Sequence, residues 1–433
     1  MGRRYGFELA RAVGRIQTVG TVIFLACLLI LATAAVVQNH YRRSPDDLPA
    51  SLHAAMLAQP VPSANPHWFS ASYRPGDPHL VSVVAAGDVM MGDRDIGLNP
   101  AIVPGVDAAR LIGTDLAGLF RRADLSLVNL EGALYDGAAS SSKDGCERCY
   151  AFRSPGYYAD VLASLRVSAV SLANNHSGDY GAEGRLTTIA ELKKRGIGFA
   201  GLDREGARFV TIALRDGRQA AVIGFAPNDG TLDINQIAAA AARVRDLKRS
   251  HALVIVWFHG GGEGWDYAHV VPGHESFAGE DRGDVVGFCH AVVEAGADLV
   301  IGSGPHVPRA IEIYRGHLIA YSLGNFWTYE GVSVAQSRGL APILEAWLAP
   351  DGALAGLTIH SARQSGAGVP HPDPAGAAAR TIYALTRSDF PATAAALAAT
   401  PSGRASSIIA ARADNAAETG YWESPAGPVS GRR

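Results

Sequence analysis

Five apolar runs, each ending in a short polar motif, constrain this chain more than anything else in it. Val81–Ala86 leads into Gly87-Asp88-Val89-Met90-Met91-Gly92, and Leu125–Val128 into Asn129-Leu130-Glu131. Ala169–Ala173 leads into Asn174-Asn175-His176, Leu253–Phe258 into His259 with Glu263, and Leu299–Ile301 into Gly304-Pro305-His306. The runs read as strands. In open α/β sheets, ligands bind outside the carboxyl ends of the strands. Asp, Glu, Asn and His repeated at five such ends therefore point to a shared polar site, most simply a metal site.

Helical patterns alternate with these strands at Asp107–Arg121, Pro155–Leu165, Ala182–Lys194, Leu232–Arg249 and Asp281–Ala295, and further strands are expected at Ile197–Ala200, Phe209–Leu214 and Ala220–Phe225. That alternation predicts a mostly parallel or mixed α/β sheet with helices outside. After Leu299 the pattern changes to short strands around the turns Arg315-Gly316 and Asp351-Gly352, which predicts antiparallel hairpins. The globular domain is expected over 80–365, followed by a helical segment over 366–415 and a disordered tail over 416–433.

The N-terminal end has a separate character. Thr18–Val37 is an uncharged apolar run, long enough as a helix for the roughly 30 Å of a bilayer core. Arg3, Arg4, Arg11 and Arg15 precede it, which favours a cytoplasmic N-terminus over 1–17, an anchor over 18–37 and an exported bulk. A cleaved signal peptide is the rival, although its apolar region is usually shorter. Residues 38–79, rich in Pro, Ser, Ala and His, read as a linker. The net charge of −3 offers no basic field for nucleic acid. Cys146 and Cys149 lie two residues apart in a polar loop; with no matching zinc ligands, a local disulfide is the expected state of an exported domain. Cys289 reads as a small buried hydrophobe.

Each motif allows a chemical and a plain reading. Asp88, between two glycines, can hold or bridge cations, or can cap a turn. Glu131 against an apolar strand is costly unless paired, either with a cation or with Arg148 or Arg153. Asn129 can serve its own loop. An amide oxygen beside the His176 imidazole makes a mixed ligand pair; alternatively His176 donates a proton, with Asp179 orienting it, or the motif is an Asn-rich turn. His259 and Glu263 flank Gly260-Gly261-Gly262, suited to metal, to a substrate's polar head, or merely to a tight turn. Pro305 stiffens the loop that carries His306. Asn325, after Ser322-Leu323-Gly324, is a further candidate to face the same site. The segment from Gly260 to Asp281 reads either as a lid or as an ordinary surface loop, with Arg309 nearby as a counter-charge for a polyanion. There is no G-x-S-x-G elbow, P-loop or G-x-G-x-x-G after a strand.

Taken in order, these motifs, with Val307-Pro308 and the later stretch Ile319-Ala320-Tyr321-Ser322-Leu323-Gly324-Asn325-Phe326, resemble the CapA family of poly-γ-glutamate capsule synthesis proteins. The resemblance spans about Val81 to Trp327. It implies a calcineurin-like metallophosphoesterase sandwich, mixed sheets flanked by helices, in an anchored extracytoplasmic protein of envelope-polymer synthesis or export. Met90 stands where metallophosphoesterases carry the His of Asp-x-His, as is usual for the CapA branch. Ser303-Gly304 replaces a common second His, and Gly260 a common Trp. Residues and resemblance together assign Asp88, Glu131, Asn175, His259 and His306 as ligands of a divalent Mn, Zn or Fe ion. They make His176 and Asp179 the catalytic pair, and Asn129, Glu263, Arg309 and Asn325 substrate-binding. The expected partners are an anionic envelope polymer or its precursor, the membrane, and capsule synthase or export subunits. A non-catalytic polymer-binding subunit is the alternative.

Overall fold

Alternate side chains of a single strand report the architecture. The computed structural model describes residues 67–69, 77–92, 98–145, 149–330 and 332–398. Along Val81–Val89 (β2, numbering strands along the chain), Val81, Val83 and Ala85 enter one buried cluster, and Val84, Ala86 and Val89 another. A strand buried on both faces has no polar side to present to water, hence its unbroken apolar sequence. The first cluster includes Leu253, Ile255 and Trp257 of β10 (Leu253–His259) and Leu299 and Ile301 of β13 (Leu299–Ser303), so it fills the space between two sheets. The second takes in Leu116 and Phe120, Leu162, and Leu192 from the helices Thr114–Arg122, Ala159–Ser164 and Gly181–Lys194.

The first sheet has eight strands. Across it run β1 (His67–Phe69), β18 (Leu354–His360), β17 (Ile343–Leu348), β2, β3 (Leu125–Leu130), β6 (Ala169–Ser171) and β7 (Gly198–Ala200), while β16 (Asn325–Trp327) also pairs with β2. The second runs β14 (Ile311–Tyr314), β15 (His317–Ala320), β13, β10, β9 (Gln219–Phe225) and β8 (Phe209–Ala213). Pairing is parallel through β2, β3, β6 and β7 and through β9, β10, β13 and β15, and antiparallel at β8, β14, β17 and β18. Three small pairs complete the set: β4 (Ala133–Leu134) with β5 (Arg153–Ser154), β11 (Ser276–Phe277) with β12 (Glu280–Asp281), and β19 (Ala362–Ser365) with β20 (Val369–Pro372).

The mixed α/β sheets with flanking helices match the sequence expectation. The hairpins do form around Arg315-Gly316 and Asp351-Gly352, but in different sheets: β17 and β18 return to β2 rather than extend the strands before them. The helix expected over Asp107–Arg121 is broken at Gly113, whose φ of 86° is unsuited to a helix interior, leaving Ala109–Ile112 and Thr114–Arg122. The segment read as linker supplies β1, which pairs with β18, and the helix Ala377–Asp389 buries Ala379 and Ile382 in the core between the sheets. The strand His67–Phe69 and the helix Ala377–Asp389 are therefore part of the packed unit. Among the described residues no helix is long and apolar enough to cross a membrane; the run Thr18–Val37, residues 1–17 and the tail 416–433 lie outside them.

Candidate metal centre

The end of β2 is shaped by a close approach. A Cβ added to Gly87 would fall 1.8 Å from the carbonyl oxygen of Gly324, so only glycine fits. The Asp88 amide donates to that same oxygen at 2.9 Å, and the β2–β3 register shifts between Ala85 and Asp88. The fully buried Asp88 carboxylate then accepts from Asn129 Nδ2 at 2.8 Å.

Around Glu131 the two sheets converge. Its Oε1 lies 3.8 Å from the Nε2 of His176, of His259 and of His306 alike. These imidazoles follow β6, end β10 and follow β13, so one carboxylate meets three histidines from both sheets. His306 Nδ1 is 3.2 Å from Asp88 Oδ2 and 2.9 Å from Asn325 Oδ1. Ligand atoms of Asp88, Glu131 and His306 lie within 4.8 Å of one another. His306 has a φ of 58°, a left-handed conformation uncommon for a residue with a side chain and concentrated at functional sites.

Two buried polar atoms of this group, Glu131 Oε1 and His259 Nε2, have no hydrogen-bond partner among the described residues, nor has Asn175 Oδ1 of the motif that carries His176, while Asp88 Oδ2 has the His306 imidazole at 3.2 Å. Such orphans are rare and costly. Carboxylate and amide oxygens with imidazole nitrogen form a donor set suited to Mn, Fe or Zn, so the residues fit a divalent cation. The electrostatics agree. Burial, then the neighbouring Asp88, holds Glu131 well above the usual carboxylate range. Burial, then Arg282, pushes His259 well below the usual imidazole value. Burial also pulls His306 down, but Glu131, Asp88 and Glu263 outweigh it and lift it to about 10. The negative charge that lifts His306 would equally favour a cation in its place.

His176 is held differently. Its Nδ1 lies 2.8 Å from Asp179 Oδ2, leaving Nε2 toward Glu131. Asp179 also accepts from the Phe152 amide at 2.8 Å, and the Phe152 ring lies 4.3 Å from the imidazole. Burial lowers the His176 pKa while Asp179 opposes the change. Lys143, which the sequence reading missed, reaches Asp179 Oδ1 at 2.7 Å, His176 Nδ1 at 3.0 Å and the Asn175 carbonyl at 3.2 Å. Cys149 of the same loop is disulfide-bonded; Cys146 lies outside the described residues, as does Arg148.

The model of the bacterial capsule synthesis protein family PGA_cap matches residues 82–330, the stretch that carries every residue above. The chain belongs to this family. A probable polyglutamine synthesis accessory protein of Mycobacterium tuberculosis is 30% identical over 311 residues, covering 65% of this chain and 74% of that one. The capsule biosynthesis protein CapA of Bacillus anthracis is 29% identical over 175 residues, 37% of this chain and 39% of its own length. Among solved structures, a 5′-nucleotidase precursor from Thermus thermophilus overlays with a TM-score of 0.35 and 14% identity, over 71% of this chain and 59% of that one, too slight a likeness to carry an argument.

Within this member of the PGA_cap family, several residues stand elsewhere than their sequence roles suggest. Asn174 is the hub of its motif: its Nδ2 donates to Asn129 Oδ1 and the Leu130 carbonyl, and its Oδ1 accepts from the amides of His176 and Ser177. Asn129 and Asn325, expected to bind substrate, are fully buried and orient Asp88 and His306 instead. Arg153 turns to the Gly137 carbonyl and the Tyr180 ring, not to Glu131. Ser303, standing where a second His is common, brings its Oγ within 3.2 Å of His259 Nδ1. Glu263 remains partly exposed near the centre, 3.3 Å from Arg282.

Arg309 is not available to a polyanion. Only 1% exposed, its guanidinium takes both oxygens of Glu275, at 2.9 and 2.8 Å, and the carbonyls of Tyr267 and His269. Glu275 also accepts from the Gly262 amide, and His269 pairs with Asp389 at 2.7 Å. The expected lid is thus fastened by a buried ion pair. Removing one partner strands the other charge, so Arg309→Met should destabilise the protein by about 3–5 kcal/mol. The double variant Arg309→Met/Glu275→Leu should recover much of that, read by urea unfolding. A loss under 1 kcal/mol in the single variant would make the pair dispensable.

Proposed function

We propose that this protein serves the synthesis or export of an anionic envelope polymer of the poly-γ-glutamate type, acting outside the cytoplasm from an N-terminal membrane anchor as a metal-dependent hydrolase on a metallophosphoesterase-like sandwich. The observation that carries this reading is the meeting of Asp88, Glu131 and three imidazoles at the strand ends of two sheets. Family membership and the names of the relatives support the polymer. The apolar run Thr18–Val37 and its preceding arginines support the anchor. Expected partners are the polymer or its precursor and the other synthase or export subunits.

In this reading Asp88, Glu131, Asn175, His259 and His306 hold a Mn, Zn or Fe ion. When bound, it polarises a scissile carbonyl or phosphoryl group. Asn129, Asn325 and Ser303 keep the ligands in place, which preserves their geometry through the reaction. His176, fixed through Nδ1 by Asp179, presents Nε2 as the atom that passes a proton to the leaving oxygen or nitrogen. Lys143 fastens this pair from the outer side.

A second reading, a non-catalytic polymer-binding subunit, draws on one feature: Met90 and Ser303 stand at positions that offer ligands in related two-metal sites. One experiment separates the two. Deletion of the chromosomal copy should reduce surface polymer, and an Asp88→Ala copy should fail to restore it. Full restoration by Asp88→Ala/His259→Ala would leave the binding subunit. A reporter fused after Arg433 should work only in a form active outside the cytoplasm; activity of a cytoplasm-only reporter would reject the topology.

A further inference from the structure

Arg282 is as buried as Arg309, each about 1% exposed, but its donors are used differently. Arg309 has hydrogen-bond partners for Nε, Nη1 and Nη2. Arg282 donates through Nε to the Gly261 carbonyl at 3.1 Å, and its Nη1 lies 3.3 Å from Glu263 and 3.6 Å from Glu280. Its Nη2 has no hydrogen-bond partner among the described residues. A buried guanidinium that served only to fasten its loop would not leave a donor unsatisfied, because that costs stability.

The unpartnered Nη2 lies near His259, one of the proposed ligands. A Cβ built on Gly304, which has a φ of 109°, would lie 3.2 Å from Arg282 Nη2 and 3.2 Å from His259 Cδ2. The absence of a side chain at 304 therefore leaves open the space between guanidinium and imidazole. The backbone of Arg282 is rigid: its amide donates to the Glu275 carbonyl, and its carbonyl accepts from Gly261, both at 2.8 Å. A planar, always charged donor set beside a cation suits an oxyanion. We infer that Arg282 is the anion-binding arm of this site and takes a carboxylate or phosphate oxygen of the substrate. The inference deepens the hydrolase reading and rests on it for the neighbouring cation.

Calorimetry on the full chain, with Mn²⁺ content measured first, tests this with two probes, inorganic phosphate and γ-glutamyl-glutamate. The probe that binds identifies the source of the oxyanion. R282K should keep metal content and weaken that probe about 10- to 100-fold, the range for one charge-assisted hydrogen bond. E263Q leaves Arg282 in place, removes a competing carboxylate and should tighten binding. Wild-type affinity in both variants, or no binding of either probe to the metal-loaded wild type, overturns the inference. If the protein holds no metal but phosphate binding still depends on Arg282, the arm stands and the hydrolase reading falls.

Discussion

Asp88→Ala and His259→Ala proteins are expected to fold and to lose their divalent metal. Groups that merely hold a ligand in place are worth roughly 10- to 100-fold in affinity, so direct ligands should cost at least that. Both residues are fully buried, and Asp88→Ala strands the Asn129 amide, so a modest loss of stability of about 1–3 kcal/mol relative to metal-free wild type accompanies the loss of metal. Metal stoichiometry of the purified proteins decides it; stoichiometric metal in the double variant would remove the proposed centre.

The same centre sets a dependence on pH. In the metal-free protein His306 is raised to about 10 from an ordinary 6.5. Its contribution to stability is therefore fully present below about 6.5 and is lost as pH rises toward 10. Glu131, also raised, acts with the same sign: the folded state holds its proton longer than the unfolded chain does. A cation takes the place of these protons, so its affinity rises with pH. The Tm gain on adding metal should accordingly grow from pH 6.5 upward. A constant gain across that range would show that neither proton is displaced.

Gly87→Ala is expected to be the most damaging single substitution near the site. The new Cβ would sit 1.8 Å from Gly324 O, 2.8 Å from Gly324 C and 2.9 Å from Leu323 O, all backbone atoms. β2 must then move from the turn that precedes β16, which breaks the Asp88–Gly324 hydrogen bond and shifts Asn325, the register partner of Asp88. Asn325 orients His306, so the damage reaches the metal centre. A loss of more than about 3 kcal/mol, or failure to accumulate soluble protein, is expected from overpacking that cannot relax. Gly118→Ala is the control: in mid-helix with nothing within 4 Å of its Cβ, it should gain about 0.5–1 kcal/mol. Equal thermal midpoints for the two variants would contradict this account.

The sequence by itself determined the strands and the chemistry at their ends. Unbroken apolar runs at Val81–Ala86 or Leu253–Phe258 have few alternatives to buried strands, and a carboxylate, amide or imidazole placed directly after one is fixed to the rim by chain continuity. That is why Asp88, Glu131, His259 and His306 are legible in the sequence. Only the tertiary structure decided how these ends meet and which neighbours they use. The five motifs come from two sheets, because β7 ends the sheet that holds β2, β3 and β6 while β8 begins the one that holds β10 and β13. Asn174 rather than Asn175 became the hub because Asn129 and Leu130 lie beside it. Arg282 sits between Asp281 and Gly283 and Arg309 between Pro308 and Ala310, yet both are buried, one satisfied by Glu275 and one left with a free donor. Lys143 meets Asp179 across a separation of 36 positions. Such pairs depend on distances between segments remote in the chain, and neither propensity nor local pattern encodes those distances; packing does.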